Sequence, residues 1–211
     1  MRLVLASNNA KKLAELRALL AGLDLDLVAQ GQIGIAEAEE PHGTFIENAL
    51  TKARHAARGA GAAAIADDSG LCVPALGGEP GVRSAEFAGV VRSDAPDREE
   101  RRRAQDAANN ALLLQRLAGQ GGAARAAYFV STLVALRHAD DPEPLIATGR
   151  WAGVLLDAPR GAGGFGYDPL LFIPTLAATV AELGPELKNR HSHRALAAAA
   201  MRELMASVWR L

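Results

Sequence analysis

A small and apolar run, Ala62-Ala63-Ala64-Ile65-Ala66, passes without interruption into Asp67-Asp68-Ser69-Gly70. The first part hydrogen-bonds as a strand within a core, and the second places two carboxylates, a hydroxyl and a glycine at its end. Ligands of α/β folds sit at strand ends. Two unscreened carboxylates there repel each other until a cation or proton intervenes, and a hard, oxygen-seeking ion such as Mg²⁺ removes that repulsion. A solvated Asp-Ser-Gly turn accounts for the same residues. The surrounding chain has to separate the two readings.

Upstream, Thr44-Phe45-Ile46-Glu47 forms a capping-box pattern that opens a helix running to about Arg58. Arg2 to Ala6 reads as a short buried strand. Ser7-Asn8-Asn9 caps a helix from Ala10 to about Ala21, whose Leu13, Leu16, Leu19 and Leu20 share one face. Leu23 to Ala29 alternates as a half-exposed strand. Downstream, Asp97 to Leu117 is a long helix ended by Gly119, Gly121 and Gly122. A strand from Ala126 to Arg137 connects through Asp140-Asp141-Pro142 to another at about Leu145 to Leu155. Leu170 to Ile173 is a short apolar run, and an Ala-rich helix covers Ser192 to Trp209. Strands and helices alternating at both ends, with a hairpin between, predict an α/β fold: a single domain over 1–211 around a mixed sheet.

Composition narrows the function. With 49% apolar and 22% charged residues in 211, the chain is globular. No apolar run reaches membrane-spanning length. The single cysteine, Cys72, leaves no internal disulfide and fits a reducing compartment, so a cytoplasmic, soluble protein is expected, with no membrane partner. A net charge of −1 and few aromatic residues argue against a nucleic-acid partner. The run Arg98-Glu99-Glu100-Arg101-Arg102-Arg103 reads as the solvated face of a helix. There are 19 arginines but only 4 lysines, and Lys11, Lys12, Lys52 and Lys188 all lie in the segments that carry chemistry. A compact ammonium on a flexible stem suits a phosphate tail.

Four such segments stand out. In Ser7-Asn8-Asn9-Ala10-Lys11-Lys12, a strand turns into a helix whose N-terminal N–H groups attract anions, with the lysines one turn in; an N-cap with exposed lysines explains it equally. Glu39 and Glu40, with Gly43 to Asn48 and Lys52, can join Asp67 and Asp68 in a carboxylate cluster holding Mg²⁺ against phosphates, or remain solvated loop acids. Gly163-Gly164-Phe165-Gly166-Tyr167-Asp168-Pro169 presents an aromatic ring between glycines, for base stacking or for core packing. Lys188 and Ser192-His193-Arg194 offer hydrogen-bond donors at the start of the last helix.

Taken together in chain order, these segments and Gly77-Gly78-Glu79-Pro80-Gly81 resemble the inosine triphosphate pyrophosphatase family nearly end to end. The resemblance implies a homodimer with a long mixed central sheet and two lobes flanking a substrate cleft. It implies Mg²⁺-dependent hydrolysis of dITP, ITP or XTP to the monophosphate and pyrophosphate. On that basis Asp68 is the general base and a metal ligand. Glu39 is the other metal ligand, with Glu40 and Asp67 as alternatives. Ser7, Asn8, Asn9, Ala10, Lys11, Lys12, Lys52 and Ser69 hold the triphosphate. Phe165, Gly166, Tyr167, Asp168, Lys188, His193 and Arg194 enclose the purine and sugar. Lys11 departs from the family pattern, which often has glycine at that place. A nucleotide sensor would gain nothing from a poised base, and the Asp67-Asp68 pair therefore favours an enzyme.

Overall fold

The computed structural model describes residues 1–90 and 97–211. In chain order the elements are β1 (Arg2–Leu5), α1 (Ala10–Leu19), β2 (Asp26–Ala29), α2 (Phe45–Ala60), β3 (Ala63–Cys72), α3 (Arg98–Arg116), β4 (Ala126–Leu136), β5 (Leu145–Leu155), β6 (Leu171–Ile173), β7 (Ala178–Thr179), α4 (Pro185–His191) and α5 (His193–Leu204). The strands form one mixed seven-stranded sheet in the order β2-β1-β3-β4-β5-β6-β7. β1 is parallel to β2 and β3, whereas β6 is antiparallel to β5 and β7. The α/β expectation holds. Among the described residues no helix is long and apolar enough to cross a membrane.

The chain divides into two compact units. The first comprises Met1–Ser69, Ser131–Arg150 and Asn189–Leu211; the second comprises Gly70–Val130 and Trp151–Lys188. In the first, strand alternation sends side chains to two separate cores. Leu3, Leu5, Ile65, Leu133 and Ala135 pack with Leu16 of α1 and with Ala197, Ala198 and Met201 of α5. Val4, Ala64, Ala66, Val134 and Leu136 pack against Ala49, Ala53, Ala56 and Ala57 of α2. The second unit has its own core, built from Leu71, Val73, Phe129, Trp151, Leu155, Tyr167 and Leu170 with Leu113 and Leu117 of α3.

Local chemistry explains most boundaries. Asn9 is the N-cap of α1, its side chain accepting from the N–H groups of Lys11 and Lys12. Thr44 caps α2 by accepting from Glu47 N–H, while its hydroxyl donates to the Glu47 carboxylate at 2.6 Å. The second strand is shorter than expected, because Leu23 and Leu25 pack on the core from a connecting segment. The last helix is α-helical only to Leu204 and closes with a π turn, Met205–Trp209.

The main correction concerns β3. The strand does not end at the carboxylates; it continues through Asp67, Asp68, Ser69 and Gly70 to Cys72. Apolar sequence resumes at Leu71 to Val73, all buried. Gly70 is a strand residue rather than a turn residue, required by close approach. A Cβ there would lie 2.4 Å from the Gly81 carbonyl oxygen and 2.4 Å from Ser84 Oγ.

Candidate active site

Because β3 is continuous through the acidic pair, neighbouring side chains point to opposite faces of the sheet. The expected mutual repulsion is thereby relieved by geometry, and each carboxylate meets its own cations. Asp67, only 1% exposed, faces α1 and α5. It lies 2.9 Å from Lys12 Nζ and 3.0 Å from Arg194 Nη2, and it accepts from Ser131 Oγ at 2.7 Å. Burial alone would raise its pKa. Arg194 and Lys12 outweigh that effect and hold the carboxyl well below the usual range.

Arg194 is itself fully buried, bonded to Asp67, to Glu15 of α1 and to Ser69 Oγ at 3.1 Å. Burial opposes its charge, yet Asp67 and Glu15 keep the guanidinium protonated. The sequence expectation aimed Arg194 at a purine; the structure bonds it to two carboxylates and a serine. Glu15 and Ser131 escaped the sequence reading. Glu15 left one signal, its position three residues after Lys12, which puts both on one helix face.

Asp68 faces α2 on the other side of the sheet. Lys52 Nζ lies 2.8 Å from Asp68 Oδ1, 2.9 Å from Glu40 Oε2 and 3.2 Å from the Asp67 carbonyl oxygen. Burial pushes the Asp68 carboxyl up to about 6, with Lys52 pulling it down and Glu40 adding to the rise. Burial would lower Lys52, but the two carboxylates hold it above its ordinary value. Asp68 Oδ2 is buried, and no hydrogen-bond donor of the described residues reaches it.

That orphaned oxygen beside Glu40 tests the fit of a divalent cation. Among the described residues no group of three or more His, Cys, Asp or Glu side chains gathers as a closed metal cage. Mg²⁺ does not require one, since it usually takes one or two carboxylates and completes its shell with water and phosphate oxygens. Asp68 and Glu40 suit that pattern. Glu39, the first choice from sequence, and Glu40 are both exposed; Glu40 bonds Lys52, whereas Glu39 lines a surface hollow of about 520 Å³ with Glu37, Arg54, His55 and Arg58. Both oxygens of Asp67 are already engaged, Oδ1 by Ser131 and Oδ2 by Lys12 and Arg194, whereas Asp68 meets Lys52 through Oδ1 alone.

The first loop shares this unit. Ser7 Oγ accepts from Asn9 N–H at 3.2 Å, and Asn8 Oδ1 accepts from Gly31 N–H at 2.9 Å. Ala10 and Lys11 are exposed. His193 is buried at the first turn of α5, next to the N-cap Ser192.

In the second unit the glycine-rich loop is fixed around Asp168. This buried carboxylate accepts from Phe165 N–H at 3.0 Å and pairs with Lys188 Nζ at 2.9 Å. Lys188 Nζ also stands 4.7 Å from the centre of the half-buried Phe165 ring. Tyr167 belongs to the core, its hydroxyl donating to the Ser84 carbonyl at 2.9 Å. Burial pushes that phenol further above its ordinary pKa.

The Ham1 family model matches residues 3–204. The chain belongs to the Ham1 family. A relative from Methylibium petroleiphilum, named dITP/XTP pyrophosphatase, is 69% identical over 99% of both chains. Another of the same name from Leptothrix cholodnii is 66% identical over the full length of both. Among solved structures, a HAM1 protein from Coxiella burnetii superposes with a TM-score of 0.85 at 38% identity, covering 99% of this chain and all of the other. The Ham1 match therefore extends through both clusters rather than resting on one motif.

Proposed function

We propose that this protein hydrolyses noncanonical purine nucleoside triphosphates (dITP, ITP and XTP) to the monophosphate and pyrophosphate. Full-length relatives named for that activity support the reading. The observation that carries it is Asp68, a buried carboxyl raised to about 6 with one oxygen unpartnered and Lys52 and Glu40 alongside. A general base works best when its pKa lies near the operating pH.

A triphosphate brings about four negative charges, and these need neutralising before a nucleophile approaches. Lys52, held above its ordinary pKa by Asp68 and Glu40, and Lys12, which burial pulls below its own, supply ammonium groups beside β3, and the Ser7-Asn8-Asn9-Ala10-Lys11 loop supplies polar groups and a further ammonium. Asp68 and Glu40 would hold Mg²⁺, which when bound would add neutralisation of the phosphate oxygens. Asp68 takes the proton of the water that attacks the α-phosphorus, and pyrophosphate leaves. Asp67 and Arg194 hold Ser69 and Lys12 in place from beneath. Phe165, Gly166 and Lys188 meet the base, and Tyr167 and Asp168 brace them.

The protein acts as a homodimer in the cytoplasm. The dimer is supported by β5, which buries one set of alternate side chains and exposes the other, including Ile146 and Val154. The function is tested by incubating the protein with XTP, ITP, dITP, ATP and GTP, with and without Mg²⁺. The expected products of the first three are monophosphate and pyrophosphate. Release of orthophosphate, or equal turnover of ATP, refutes the assignment.

A further inference from the structure

Three side chains of α3 that no motif predicted converge on the Phe165 loop. Arg102, Asp106 and Asn110 are spaced four apart and so share one helix face. Asp106 Oδ2 accepts from Gly166 N–H at 2.8 Å, and Asn110 Nδ2 donates to the Gly166 carbonyl at 3.0 Å. One helix face thus holds both backbone polar groups of a single glycine, whose φ of +61° L side chains rarely adopt. At the end of the same face, the Arg102 guanidinium carbon lies 5.3 Å from the centre of the Phe165 ring. Arg101 and Arg103 are exposed, whereas Arg102 is half-buried. The basic run was expected as a solvated face, and Arg102 departs from it because Phe165 gives its flat cation an aromatic surface to cover.

We infer that Arg102 is a specificity-determining residue of the base site and favours xanthine over hypoxanthine. The inference rests on the proposed function for what binds at Phe165. Both bases carry O6. Xanthine adds an oxo group at C2 and loses a ring proton near neutral pH, so its ring system becomes anionic. Hypoxanthine carries only hydrogen at C2 and stays neutral. Lys188 already has Asp168 as its counter-charge at 2.9 Å. Arg102 brings a second cation to the same ring, planar, permanently charged and forked with donors. Such a group gains more from an anionic, acceptor-rich ring than from a neutral one.

The test compares kcat/KM for XTP and ITP in the wild type, Arg102→Gln and Arg102→Lys. Loss of one half-buried cation beside the base predicts that the XTP-to-ITP ratio falls about tenfold in Arg102→Gln. Arg102→Lys, which keeps the charge but not the plane, falls about threefold. A ratio unchanged in both variants overturns the inference, even where both substrates slow together, since that pattern marks loop support alone. Should Arg102→Gln not fold, the Arg102→Lys ratio decides by the same criterion. Calorimetric binding of XMP and IMP reads the preference without turnover. A wild type that hydrolyses neither triphosphate refutes the proposed function, and the XMP-to-IMP affinity ratio then still decides on Arg102.

Discussion

Adjacent aspartates with opposite tasks dominate at the residue scale. Asp67 is held ionised by Arg194 and Lys12, so it cannot accept a proton near neutral pH, while Asp68 is held near 6 and can. Replacing Asp68 by Asn should leave nucleotide binding nearly intact and reduce turnover about 10²–10⁴-fold, the usual contribution of a general base; pyrophosphate release and equilibrium binding measured on one preparation check both halves. Arg194→Ala strips a fully buried counter-ion from Asp67 and Glu15. Breaking a buried pair from one side typically costs about 3–5 kcal/mol, so its urea midpoint should drop sharply. A midpoint equal to that of the wild type would mean that Lys12 alone balances Asp67.

At the scale of elements, β3 works because it is continuous. Its alternation separates the carboxylates, and its Gly70 admits the segment carrying Gly81 and Ser84, whose Oγ accepts from Leu71 N–H at 2.9 Å. Gly70→Ala forces that segment outward and should destabilise by about 1–3 kcal/mol, read by thermal melting. The connection between β4 and β5 depends on Asp141, which accepts from Arg137 N–H at 2.9 Å and Glu143 N–H at 3.0 Å. Burial would raise its pKa, but these two bonds outweigh it and lower the carboxyl below its ordinary value. A depressed folded pKa means the contribution is present above the unfolded value and vanishes as pH falls through the folded one. Asp141→Ala should therefore melt well below wild type at neutral pH, with the gap closing as pH drops below about 4. A gap constant across that range would contradict the assignment.

At the scale of the whole molecule, the proposed dimer rests on the exposed side chains of β5, Ile146 among them, which a second copy would bury isologously. Ile146→Glu on that face should shift the solution mass from dimer to monomer in analytical ultracentrifugation; a monomeric wild type would refute the dimer. Much of the fold was legible in the sequence, because apolar periodicity and caps such as Asn9 and Thr44 act over a few residues. The glycine-flanked Phe165 and the Asp67-Asp68 pair were visible for the same reason. The sequence by itself determined which residue types stand beside the strand and the loop. Tertiary structure alone decided their tasks: which face of β3 each aspartate takes, that Glu40 rather than Glu39 meets Lys52, that Arg194 binds Asp67, and that Arg102 covers Phe165. Arg194 and Asp67 lie 127 residues apart, and Arg194 and Glu15 lie 179 apart. Only packing brings them within the few ångströms over which charge and hydrogen bonding act.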